Sequence, residues 1–173
     1  STEHYEHKKP RVKANENGAF IIWNDFRNDD DGDIYIQKIT PSSNGVWDTS
    51  TDLPFDGIPV SEESNPQAES RLTLDGSGGV YVVWQQKSGE EEDIKIKQID
   101  SLGQSIYDDD GLTISSYRKD QINPRVIKDG NGGAFIVWLD YREGSSGIYT
   151  QHVDASASIS MDLDGRKMFY GID

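Results

Sequence analysis

The chain has 173 residues, enough for one domain or for a set of small repeated units with a real core. Its 31 acidic and 17 basic residues give a formal net charge of −14, which opposes binding to the nucleic-acid backbone or to an anionic membrane surface, so no nucleic-acid partner is expected. The absence of cysteine excludes a disulfide scaffold, a thiol nucleophile and cysteine metal sites, and no apolar run approaches the roughly 20 residues that span a bilayer, so no membrane insertion is expected.

Hydrophobic residues make up only 34% of the chain, but 10% aromatic residues and 17 glycines suit many short strands joined by tight turns. The first predicted strand, Arg11–Ala14, alternates and leads into the turn Asn15–Gly18, where Asn and Gly tolerate positive φ. The second is Gly18–Trp23, too short and too β-branched and aromatic for a helix, and apolar at consecutive positions as in a strand covered on both faces. Next comes Trp23-Asn24-Asp25-Phe26-Arg27, in which Asp25 and Arg27 face the same side of an extended chain. They form either a salt bridge that pins the following loop or part of a site for a carboxylate or acidic sugar. In the loop after them, Asp29, Asp31 and Asp33 stand at alternate positions around Gly32, the kind of oxygen cluster that a hard cation such as calcium takes. The downstream Glu of an EF-hand loop is missing, and a solvated acidic turn is the plain alternative. No other cofactor is expected. The third strand, Ile34–Ile39, alternates in part and is placed further from the core. Trp47 stands outside the repeated tryptophan series and is read as an aromatic facing a ligand or partner. The fourth strand, Gly57–Ser61, contains Pro59, which cannot donate a backbone hydrogen bond and so marks a sheet edge.

The chain then repeats this unit. Gly79–Trp84 and Gly133–Trp138 match Gly18–Trp23 position for position, and the other three strands recur as Arg71–Leu74 and Arg125–Lys128, Ile94–Ile99 and Ile148–Val153, Gly111–Ser115 and Gly165–Phe169. The repeat units are 10–61, 66–115 and 124–169, in one array over 1–173. A four-stranded unit whose second strand is covered on both faces has to pack against something, and the abundant candidate is another copy. The predicted fold is therefore all-β, with three four-stranded antiparallel propeller-type blades and no helix. Stacked hairpins or a β-sandwich are the alternatives. Closed propellers have roughly four to eight blades, so three leave two apolar faces open. The expected cover is a second copy of the chain, by self-association through the blade faces into a closed ring or a filament, unless the chain is one piece of a longer protein.

The third copy repeats the loop as Trp138-Leu139-Asp140-Tyr141-Arg142, whereas the middle copy has Gln85-Gln86-Lys87-Ser88. The candidate ligand-binding residues are thus Asp25, Arg27, Asp140, Arg142 and Trp47. The acidic runs Glu90–Asp93 and Asp108–Asp110, and the pair His4 and His7, are weaker candidates for a metal. No Ser/His/Asp spacing, nucleophile elbow or phosphate loop is evident, so no catalytic residue is named.

The pattern running from Pro124-Arg125-Val126 through Gly-Gly-Ala-Phe-Ile-Val-Trp-Leu-Asp-Tyr-Arg at 132–142 resembles the propeller-like repeats of large secreted and cell-surface bacterial proteins, many of them adhesin-like. The resemblance covers all three copies. It implies a secreted or cell-surface location and a non-enzymatic module that works in self-assembly or adhesion, with a glycan or surface protein as the outside partner. The alternative is a carbohydrate-binding, lectin-like or glycan-active propeller whose loop Asp and Arg residues surround a sugar. The Asp-box of bacterial sialidases is absent.

Overall fold

A computed structural model of the chain describes residues 6–42, 45–47, 56–61, 63–106 and 110–169. His4, Asp108 and Asp109 lie outside them. Among the described residues there are twelve strands and no helix. The first sheet consists of β1 (His7–Asn15), β2 (Gly18–Asp25), β3 (Asp33–Ile39) and β4 (Ile58–Ser61), and the second of β5 (Gln67–Leu74), β6 (Val80–Ser88), β7 (Glu91–Ile99) and β8 (Leu112–Ser115). The third consists of β9 (Gln121–Lys128), β10 (Ala134–Asp140), β11 (Gly147–Val153) and the two-residue β12 (Arg166–Lys167). Each sheet is antiparallel, with its strands in sequence order, so β1, β5 and β9 form one edge and β4, β8 and β12 the other. Pro59 in β4 sits on such an edge, as its missing N–H requires.

The sheets stack face to face through two apolar layers. Phe20 and Ile22 of β2 meet Val80, Val82 and Trp84 of β6, with Leu72, Ile99 and Trp47 completing the layer. Tyr81 and Val83, on the opposite face of β6, meet Ala134, Ile136 and Trp138 of β10. The side-chain period of two along a strand therefore gives each second strand two apolar faces of different type, and each interface joins one type to the other. Of the three second strands only β6 is buried on both faces, over Val80–Trp84. In β2 and β10 exposure alternates, because one side of each outer sheet has no neighbour. The expectation of double burial in every copy is corrected accordingly. The outward face of the first sheet presents Val12, 60% exposed, and that of the third presents Ile127 and Phe135, 64% and 41% exposed.

Two further corrections concern the first and third strands. The first strands are longer than the segments beginning at Arg11, Arg71 and Arg125, because each continues toward the N-terminus through a β-bulge. At the bulge Lys9, Glu69 and Asn123 adopt the left-handed conformation, with φ of 52°, 50° and 56°. The third strands are more buried than their polar residues suggested, because those side chains bond the loops that cover them. Gln37 accepts from the amides of Val46 and Trp47 at 3.2 and 3.0 Å, and Gln151 accepts from Met161 N–H at 3.0 Å. In the middle copy Lys97 takes this position and donates to Val60 O of the neighbouring sheet at 2.8 Å.

Trp84 has no exposed surface and fills the first interface. Replacing it by Ala lowers the unfolding free energy by about 3–5 kcal/mol in urea titrations, and Trp23→Ala, on the half-open outer sheet, costs less. A loss under about 0.5 kcal/mol for Trp84→Ala would contradict this packing.

Candidate functional site

The tryptophan that ends each second strand is the centre of a clasp. Trp23 Nε1–H donates to Asp25 at 2.9 Å, and Arg27 donates to the same carboxylate through Nε at 2.9 Å and through its backbone N–H at 3.0 Å. The guanidinium then reaches Asp56 O at 3.1 Å and lies 4.2 Å from the centre of the Tyr35 ring. The third copy repeats this arrangement with Trp138, Asp140 and Arg142, with Arg142 bonding Asp164 O at 2.7 Å and lying over Tyr149 and Tyr117. The carbonyls so held precede Gly57 and Gly165, and a Cβ on either glycine would collide with the indole of Trp23 or Trp138. In the middle copy Trp84 donates to Gln86 at 3.0 Å, and the Gln86 amide donates to Asn65 O at 2.9 Å.

The carboxylates of Asp25 and Asp140 have no exposed surface, so these Asp–Arg pairs pin the strand-connecting loops. Burial pushes the Asp25 pKa up, but the bonds from Arg27 and Trp23 outweigh it and hold the group below the ordinary value. Trp47, read as ligand-facing, is only 4% exposed; its ring packs 5.3 Å from that of Phe20 and its Nε1–H donates to Ser101 O of the second sheet at 3.2 Å. It belongs to the first interface, because the loop that carries it is folded back by Gln37. Asp29 accepts from the amides of Asp31 and Gly32, each at 3.0 Å, and Asp33 accepts from Asn28 at 3.0 Å. Among the described residues no three His, Asp or Glu side chains gather as a metal-holding group.

Sequence reading missed two clusters. His152 bonds Ser160 through Nδ1 at 2.6 Å and Asp129 through Nε2 at 2.8 Å, joining the turn before β10 to the segment after β11. Asp129 comes from the turn before β10, His152 from β11 and Ser160 from the segment after it, so no sequence spacing announced a Ser/His/Asp set. Ser160 also donates to His152 O at 3.2 Å, which gives the cluster a tethering role.

The second cluster lies along the sheet edges formed by β1, β5 and β9, with β5 packed against both others. Lys9 Nζ bonds Glu69 at 3.2 Å, and Arg71 bonds the other Glu69 oxygen at 3.0 Å. Burial raises the Glu69 pKa, and the two cations more than reverse that. Arg125 donates to the carbonyls of Asn123 and Pro124 at 3.3 and 2.8 Å. Its pKa is lowered by partial burial and by the charges of Arg71 and Arg11, against which the Glu69 carboxylate acts. The signal was in the sequence: each copy carries an Arg at the same place in its first strand.

Glu92 and Asp93, at the turn of the second sheet, are the other notable carboxyls. Burial pushes both above their ordinary values, with Asp120 adding to the shift at Glu92 and Glu91 at Asp93.

No protein-family model and no curated protein matches the chain. Solved structures do. An endo-1,4-β-xylanase from Bacteroides thetaiotaomicron aligns with 97% of this chain and 54% of its own at 14% identity and a TM-score of 0.50. A thermostable family-43 glycoside hydrolase aligns with 88% of this chain and 52% of its own, also at 14% identity and 0.50. The chain thus spans about half the length of the structures it matches. The likeness shows a propeller-like all-β fold, and it overturns the expectation of a non-enzymatic module, because the structures that share this fold are glycoside hydrolases.

The carboxylates held below their ordinary values make stability depend on acid. For Asp25 and Asp75, bonded by Ser77, Gln98 and Gly79, that stability is present above the unfolded value of 3.8 and is lost as pH falls toward the lower folded value. The melting temperature drops between about pH 5 and pH 3, and Asp75→Asn, less stable at neutral pH, shows a shallower drop over the same range. An identical slope in the variant would contradict the assignment.

Proposed function

We propose that this chain forms part of an extracellular propeller that binds a glycan along the edge of its blades formed by β1, β5 and β9. The observation that carries the reading is the alignment of 97% of the chain with a xylanase, supported by 88% with a second glycoside hydrolase. On that edge β5 packs against both β1 and β9, so equivalent first strands of the repeat stand side by side, the placement a ligand on a propeller axis requires. Cleavage is a second reading, favoured by the fold, which the chain shares with glycoside hydrolases. Glycoside hydrolysis needs two carboxyl groups roughly 5–10 Å apart.

The open faces support a ring that extends beyond three blades. The outward face of β10, with Phe135 and Val137, is of the same type as the Phe20 and Ile22 face of β2, and the outward Ile21 and Trp23 match Val82 and Trp84. The occupant that fits is another blade of this repeat, supplied by a second copy when the chain stands alone. Val137→Asp then reduces concentration-dependent association in sedimentation experiments; a wild-type chain that stays monomeric at all concentrations argues against that occupant.

Titration of the chain with xylo-oligosaccharides and a panel of neutral and acidic glycans, alongside an assay for released reducing ends, tests the function. Saturable binding to at least one glycan class is expected. Under the second reading reducing ends are released from the glycan that binds. Neither binding nor release with any glycan overturns the proposal.

A further inference from the structure

The two joints inside the chain show what the open faces lack. In each, a sheet face without the tryptophan meets a face that carries it, and the third and fourth strands take part. Ile34 and Val60 belong to the layer that Trp84 fills, and Ile94 and Ile114 to that of Trp138. The strand registers put Ile148 and Met168 at the same places in the third sheet, yet these are 43% and 49% exposed, where all four equivalents are buried. The first sheet is the complement. Val12 and Ile21 stand where Leu72 and Val82 are buried in the second, and a cleft of about 350 Å³ lined by His7, Pro10, Ile21 and Trp23 opens beside them.

Each internal joint is also latched by a glutamine at the start of a first strand. Gln67 and Gln121 pair in register with Gln86 and Asp140, and both are buried. Gln67 accepts from Ile34 N–H of the preceding sheet at 3.1 Å and donates to Glu63 O at 3.2 Å. Gln121 donates to Tyr117 O at 2.8 Å and stands 3.5 Å from the Ser115 hydroxyl of the preceding sheet. His7 holds that register position in the first sheet, opposite Asp25, whose carboxylate lies 3.2 Å from its Nε2. Its side chain is 55% exposed, and an imidazole, like an amide, both donates and accepts.

We infer that the third sheet of a second copy caps the first sheet of this chain head to tail, with Ile148 and Met168 seated against Val12, Ile21 and Trp23, and with His7 latching the joint as Gln67 and Gln121 do. This joint rests on the reading above that another blade covers the open faces. Like faces would set tryptophan against tryptophan or leave both unfilled, which neither internal joint does. A joint of unlike faces leaves one face of each kind open at the far ends. Two copies then close on themselves with twice three sheets, within the roughly four to eight blades of a closed propeller.

Analytical ultracentrifugation of the full chain tests the joint. The wild type associates. Val12→Asp and Ile148→Asp, at side chains exposed in the single chain, keep its melting temperature and associate at least about tenfold more weakly. An equimolar mixture of the two recovers a dimer, because one intact pair of unlike faces remains. His7→Ala weakens association about tenfold by leaving Ile148 N–H of the second copy unpaired, and His7→Gln retains it. Either face variant associating as tightly as the wild type, or a mixture no stronger than each variant alone, overturns the pairing of unlike faces and leaves another blade as the cover. Unchanged affinity in His7→Ala, or a like loss in His7→Gln, overturns the latch. A wild-type chain that stays monomeric overturns the joint together with the second copy as occupant, and the glycan titration judges the glycan reading separately.

Discussion

The architecture depends on how each sheet satisfies one indole, buried at Trp84 and Trp138 and half-buried at Trp23. A tryptophan at the end of the second strand fills space between sheets, but its N–H must find an acceptor once water is excluded. Asp25 and Asp140 supply that acceptor and, being fully enclosed, need a cation in turn. Arg27 and Arg142 provide the charge and spend their remaining donors on the carbonyls of Asp56 and Asp164, just before the glycines on which the indoles rest. One aromatic ring thereby fixes the loop after the second strand and the entry to the fourth. The middle copy reaches the same end with a neutral group. Gln86 accepts from Trp84 without bringing a charge, so no arginine is required, and Ser88 stands where the other copies have one.

A second constraint is the pairing of unlike faces. Because side chains alternate along β2, β6 and β10, each sheet offers one face with the tryptophan and one without, and stacking always joins the two kinds. Only the middle sheet has both faces covered by another described sheet, which is why its second strand is buried continuously over Val80–Trp84. The long polar side chains of the third strands follow the same logic: Gln37 and Gln151 replace water for the loops folded over them, and Lys97 crosses to the neighbouring sheet.

These constraints divide the polar residues by task. The Asp and Arg of the clasps are consumed in holding loops, while the arginines of the first strands are set by bulges along the shared edge, where they remain accessible. The fold is one used by glycoside hydrolases.

The sequence by itself determined the three-fold repeat, the all-β class, the order of strands and the edge position of Pro59, because each of these is written in local periodicity and in residues with special backbone demands. It also displayed both halves of each Asp–Arg pair, since two residues of spacing place them on one side of a strand. Only the tertiary structure decided what those residues do. Burial of the Asp25 and Asp140 carboxylates turned candidate ligand residues into anchors, and the folding back of one loop put Trp47 in the core.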